Sequence, residues 1–231
     1  NDLKYMAFSR ITDLNEEVIY WLKKANFVKL NIGVESFSER VLKEVGKRCP
    51  VEEIDPVLKL LKKHNIRPFM NIILTTPETK IEDVEVTVDK TLEYIKDPFY
   101  MAGIIIGIQP LKGTIFYEEY TNFKSYITDI EGTNFKIRRD DYIWATDPKV
   151  RKLQKMYLDT QADFIKNYIQ ENNIKHPNQA VLAPAHLILV KQIIEEIKND
   201  TINLVKSSDK KSQEGAGRNY ANSPLYNAYI D

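Results

Sequence analysis

Val28-Lys29-Leu30-Asn31-Ile32-Gly33-Val34-Glu35-Ser36-Phe37 is the stretch on which the reading of this chain turns. Val28 to Val34 is a short apolar run of strand length. Glu35 and Ser36 follow it at the point where a strand gives way to a helix begun near Ser38. In α/β folds ligands bind at the carboxyl ends of strands. A carboxylate and a hydroxyl there stand at the mouth of such a domain.

The flanking sequence supports that frame. Leu3 to Phe8 reads as a strand, followed by a helix from Leu14 to Ala25 capped by Thr12 or Asp13. Its apolar positions Leu14, Val18, Trp21, Leu22 and Ala25 recur at helical spacing. After Glu35, Ser38 caps a short helix, Glu39 to Val45, that ends near Gly46. Pro50 opens another helix running to His64, and Ile66 to Leu74 is a third strand. Thr76 then caps a helix over Lys80 to Ile95, with Thr79 as a further candidate cap. Met101 to Ile108, rich in β-branched residues, is a fourth strand of a covered sheet. Strands alternating with helices in this order predict neighbouring parallel strands joined by right-handed crossovers.

Beyond Pro110 the pattern changes. Phe116, Tyr117, Tyr120, Phe123, Tyr126, Phe135, Tyr142 and Trp144 mark an aromatic, polar excursion over the domain surface. Pro148 starts a long helix, Val150 to Gln170, and a second runs from Pro184 or Ala185 to Lys198. Lys206 to Asn222 is rich in Ser, Lys, Gly and Asn and reads as a loosely held tail. The expected organisation is an α/β part with parallel strands over 1–120, an aromatic segment with helical extension over 121–205, and a polar tail over 206–231.

Lys plus Arg number 33 and Asp plus Glu 33, so bulk charge offers nothing to nucleic acid and leaves only a local basic groove. The single cysteine, Cys49, makes no disulfide framework and fits a reducing, cytoplasmic setting. No apolar run approaches the roughly 20 residues of a membrane span, since Met101 to Ile108 stops at Gln109 and Pro110. The chain opens at Asn1 and enters apolar sequence at once, which reads as a piece of a longer protein.

Several residue groups carry chemistry, each beside a plainer alternative. Glu35 and Ser36 suit the vicinal hydroxyls of a ribose, because a carboxylate accepts both protons; Glu35 as a helix cap or solvated side chain is the alternative. Lys47 and Arg48 suit a ligand carboxylate or phosphate, or form a solvated pair. The turn Gln109-Pro110-Leu111-Lys112-Gly113-Thr114 suits a flat base bound by backbone groups, or is an ordinary loop. His64, His176 and His186 lack the spacing of a metal site.

Four segments in order resemble the radical S-adenosylmethionine (radical SAM) superfamily, in the branch that includes cobalamin-dependent and methylthiolating members. They are Asn31 to Ser36, Val41 to Lys47, Asn71 to Thr79, and Gln109 to Glu119. The resemblance spans about Leu3 to Tyr120. It implies a partial, TIM-like (β/α) barrel whose strands three to six are the four strands above, followed by C-terminal helices. It implies that Glu35 and Ser36 touch the ribose of S-adenosylmethionine, that Lys47 reaches the methionine carboxylate, and that Ile108 and Gln109 hold adenine. Arg10 falls at a polar position of the barrel top.

The family's Cys-x3-Cys-x2-Cys loop, which ligates a [4Fe–4S] cluster, is absent here, and one thiol does not replace it. Leu74-Thr75-Thr76-Pro77 also stands where relatives often carry a glycine pair around the proline. The expectation is a fragment, inert and without bound cofactor by itself. Its parent uses the cluster and S-adenosylmethionine, with cobalamin as a further option, to generate a 5′-deoxyadenosyl radical on an unknown substrate. The implied partner is the N-terminal half of the barrel or a completing subunit. Two rivals stand beside it: a noncatalytic or split-subunit domain that completes a partner's barrel, and an unrelated α/β enzyme using Glu35 as general base.

Overall fold

The computed structural model describes residues 3–121, 123–129 and 136–199; the expected tail lies outside them. Four strands form one sheet in the order β1 (Tyr5–Arg10), β2 (Phe27–Glu35), β3 (Arg67–Ile73) and β4 (Met101–Ile105), and every neighbouring pair is parallel. The crossovers carry α1 (Glu16–Lys24), then α2 (Glu39–Glu44) with α3 (Ile54–Lys63), then α4 (Ile81–Ile95). The parallel order is what the alternation of strand and helix predicts, and the sheet with its helices matches the partial α/β barrel that the resemblance implies.

The central strand β2 has a buried and an open face. On β2, Leu30, Ile32 and Val34 are buried, while Lys29, Asn31, Gly33 and Glu35 occupy the alternate positions. The buried set joins Ile19 of α1, Leu42 of α2, Leu58 and Leu61 of α3, and Val84 and Val88 of α4 in one core. Each fully buried aliphatic side chain of this kind contributes about 1.5–3 kcal/mol before entropy is counted. On the open face, pairing places Arg10, Gly33, Asn71 and Gly103 in one row across the four strands.

The segment after β4 holds α5 (Ile115–Glu119) and an antiparallel hairpin, β5 (Ser125–Asp129) with β6 (Lys136–Asp140). Two long helices follow, α6 (Pro148–Glu171) and α7 (Gln179–Lys198). They pack on each other, and α7 also packs on β4 and α4.

Several local expectations are corrected. Asn15, not Thr12 or Asp13, caps α1, its side chain accepting from the Val18 N–H at 2.9 Å. Trp21 is 61% exposed, so the α1 stripe is only half used; Ile19 is its fully buried residue. Thr76 does not cap α4. Lys80 holds that position, its N–H bonded to the Asp83 carboxylate at 2.8 Å, while Thr79 Oγ1 accepts from the Thr76 N–H. The fourth strand ends at Ile105 rather than Ile108.

Pro148 is at the first turn of α6, as expected. Pro184, by contrast, lies inside α7, which starts at Gln179 with Asn178 as its cap. An interior proline costs a helix about 3 kcal/mol. Burial of Leu182, Ala183, Ala185 and Leu187 on either side outweighs that penalty.

Candidate functional site

Glu35, the last residue of β2, has φ +65°, and the Ser36 N–H donates back to the Val34 carbonyl at 2.8 Å. Glu35 is therefore the apex of a three-residue γ-turn in its rare positive-φ form. The pairing with β3 slips at the same point, between Gly33 and Glu35. A glutamate in this region carries strain of order 1–3 kcal/mol, which persists only where the surroundings impose it.

The turn aims the carboxylate over the open face. Glu35 Oε1 lies 3.0 Å from Lys47 Nζ, and Lys47 also donates to the Gly33 carbonyl at 3.3 Å. A Cβ on Gly33 would come within 2.5 Å of Glu35 Oε1 and 2.7 Å of Lys47 Nζ. The glycine is what lets carboxylate and ammonium meet across the strand. Glu35 Oε2 has no partner among the described residues.

Lys47 is delivered by the end of α2. Gly46 takes φ +70°, the Lys47 N–H bonds the Leu42 carbonyl at 2.8 Å, and the Gly46 N–H bonds that of Lys43 at 3.1 Å. This is the Schellman ending, in which glycine avoids the Cβ penalty of the left-handed conformation. Arg10 stands at the end of β1, register partner of Gly33, with its guanidinium exposed and unpartnered among the described residues. The sheet thus brings Arg10, Glu35 and Lys47 to one mouth.

The other expected residues fare differently. Ser36 is buried, and its hydroxyl lies 2.7 Å from Thr87 Oγ1 of α4 and accepts from the Ser38 N–H at 3.1 Å. That side chain is turned away from the mouth, because it closes the start of α2 against α4. The Ile108 carbonyl accepts from the Ile143 N–H at 2.9 Å, and Gln109 is exposed.

Two supports have no signal in the sequence. Gln154 of α6, fully buried, donates to Thr75 Oγ1 at 2.8 Å and to the Ile143 carbonyl at 3.1 Å, and accepts from the Ala145 N–H at 2.9 Å. It ties the chain after β4 to the end of β3. Glu44 accepts from the Thr76 hydroxyl and from the Glu78 N–H, and burial pushes its carboxyl above the ordinary value. A polar residue in a helix has no periodicity that announces such a distant partner.

The residues fit an organic ligand with hydroxyl and carboxylate groups, and do not fit an iron–sulfur cluster. Cys49 is buried, its Sγ 3.4 Å from the Pro50 carbonyl, and burial with the nearby Glu53 pushes the thiol up to about 11. Among the described residues no group of His, Cys, Asp and Glu is placed to hold a metal.

The Radical SAM superfamily model matches residues 5–91, from β1 into α4. The fold also superposes on the cobalamin-dependent S-adenosylmethionine radical enzyme OxsB with TM-score 0.54 and 17% identity, covering 93% of this chain and 37% of that one. On the radical S-adenosylmethionine methyltransferase TsrM from Kitasatospora setae the TM-score is 0.51 at 15% identity, covering 69% and 35%. The fold is that of the radical SAM superfamily. A curated relative, an uncharacterized methyltransferase of Pyrococcus horikoshii, is 33% identical over 88 residues. That alignment covers 38% of this chain and 19% of the relative, so the chain spans a fifth of that protein and just over a third of the two structures.

Proposed function

We propose that this chain is the strand-three-to-six part of the core barrel of a radical SAM enzyme and supplies one side of its S-adenosylmethionine site. The observation that carries the reading is the Glu35 turn: a strained carboxylate at a strand end, aimed over the open face, with one oxygen held by Lys47 and the other free of partners among the described residues. Oε2 accepts both hydroxyl protons of a ribose, a charge-assisted arrangement. Lys47 has three donor hydrogens. Glu35 and Gly33 use two, which leaves one for the methionyl carboxylate. Arg10 faces the same mouth as a second cation, and Ile108 with Gln109 offers backbone groups to the adenine. Ser36 acts through its buried hydroxyl rather than by touching the ligand.

In the complete enzyme, S-adenosylmethionine held partly by these residues would supply radical chemistry, with a cluster held outside this chain. This chain orients the nucleoside. Its exposed β1 edge, with Met6 64% and Phe8 81% exposed, supports completion of the barrel by another segment or subunit. Methyl transfer, sulfur insertion and rearrangement share this barrel, so the fold leaves the substrate open.

The test is Glu35→Gln in the intact enzyme, with calorimetric titration of S-adenosylmethionine and of an analogue lacking the ribose hydroxyls. Loss of a charged acceptor costs about 1.5–3 kcal/mol, or roughly ten- to hundred-fold in affinity, for the natural ligand alone. Equal affinities before and after the substitution would remove Glu35 from the site.

A further inference from the structure

Residues 36 to 38, just after the Glu35 turn, are held by one stripe of α4. The Thr87 hydroxyl is 2.7 Å from Ser36 Oγ and accepts from the Phe37 N–H at 3.2 Å. One turn earlier, Asp83 accepts from the Ser38 hydroxyl at 2.6 Å. Two turns later, the Tyr94 ring stacks on Phe37 with centroids 5.8 Å apart and an interplanar angle of 17°. Asp83, Thr87 and Tyr94 lie on one helical face, four and seven residues apart.

Thr87 is the member of this stripe nearest the strained turn. It is 1% exposed and bonds out of its own helix, fifty residues along the chain from Phe37. Its partners are buried too, so water cannot replace the bonds it makes. The Glu35 conformation costs energy and needs its neighbours to impose it. Residue 36 is fixed on one side by its N–H to the Val34 carbonyl, and on the other by its hydroxyl to Thr87. With both ends of residue 36 held, φ of Glu35 cannot relax to the extended region without breaking a buried bond.

We infer that Thr87 is a positioning residue for the ribose-binding carboxylate: through Ser36 it locks Glu35 in its left-handed turn and so sets where the carboxylate points. The inference rests on the ribose reading of Glu35. It gives Ser36 a role different from ligand contact, and it makes α4, the helix that follows β3, part of what orients the nucleoside.

The experiment compares Thr87→Val, which keeps the shape and removes the hydroxyl, with Thr87→Ser, which keeps the hydroxyl, in the intact enzyme. Affinities are measured for S-adenosylmethionine and for its analogue lacking the ribose hydroxyls, with melting temperature followed beside them. Thr87→Val is expected to weaken S-adenosylmethionine about tenfold, the equivalent of one hydrogen bond, and to leave the analogue unchanged. Thr87→Ser restores the natural value, and Thr87→Val adds nothing further in a Glu35→Gln background. A Thr87→Val protein that melts lower yet still prefers the natural ligand by the wild-type ratio overturns the positioning role and leaves the ribose reading intact. If Thr87→Val does not fold, Ser36→Ala carries the same expectation and the same refutation. A Glu35→Gln protein that keeps the wild-type ratio overturns both.

Discussion

The two edges of the parallel sheet are finished in opposite ways. At β4 the chain itself supplies cover: α7 packs on β4 and α4, and buries Leu187, Val190, Ile193 and Ile194 in the sheet's core. Lys191 to Asp89 and Lys198 to Glu85, each within 2.7 Å, lace α7 to α4 at the surface. At β1 nothing comparable is present among the described residues. Leu3, Met6 and Phe8 are 59%, 64% and 81% exposed, and Trp21 and Val18 leave the adjoining face of α1 bare. An unpaired strand edge bordered by apolar side chains is a site for adding another strand. The barrel is closed by its own helix on one side and open to further structure on the other.

The largest effect should come from breaking the covered edge. Leu187→Ala empties a site with no solvent exposure at the α7 contact. It is expected to cost about 2–5 kcal/mol in urea unfolding. A loss below about 1 kcal/mol, well under the range for buried leucines, would mean that α7 is not what finishes this side.

The next effect concerns the same helix and is pH-dependent. His186 is buried beside Tyr157, whose hydroxyl lies 2.6 Å from Nδ1, and burial lowers its pKa from 6.5 to about 4. The folded state therefore prefers the neutral ring. Stability from this group is complete above pH 6.5 and is lost as pH falls from 6.5 towards 4, because the unfolded chain binds the proton first. The change amounts to up to about 3 kcal/mol. Urea midpoints at pH 7 and pH 4.5, for the natural protein and for His186→Gln, isolate it from the carboxylates that titrate in the same range. An identical pH dependence in both would refute the assignment.

The smallest expected effect lies at the open edge. Phe8→Ser should change the stability of the chain by less than about 0.5 kcal/mol while lowering its self-association in light scattering. A large destabilisation would show that Phe8 already packs on something, and the contrast between the edges would fail.

Much of the fold was legible because burial imposes a period. Val28 to Val34, Ile66 to Leu74 and Met101 to Ile108 had to be strands of a covered sheet, and the helices between them set the parallel order. The boundaries were less legible, since Asn15 and Lys80 took capping positions that Thr12 or Asp13 and Thr76 were equally suited to fill. Pro184 misled for a related reason: its local penalty is small beside the apolar area that α7 buries around it.

For the site, the sequence by itself determined that a carboxylate stands at the end of β2 and that the helix after it stops near Gly46, just before Lys47, because chain direction and glycine backbone freedom are local properties. Only the tertiary structure decided that Glu35 and Lys47 meet each other across Gly33, that the Ser36 hydroxyl turns inward to Thr87, and that Gln154 of α6 pins Thr75 just after β3. Those pairings join residues from 12 to 79 positions apart. A hydrogen bond between such residues exists only once packing has brought two elements together, and no periodicity in the chain encodes it.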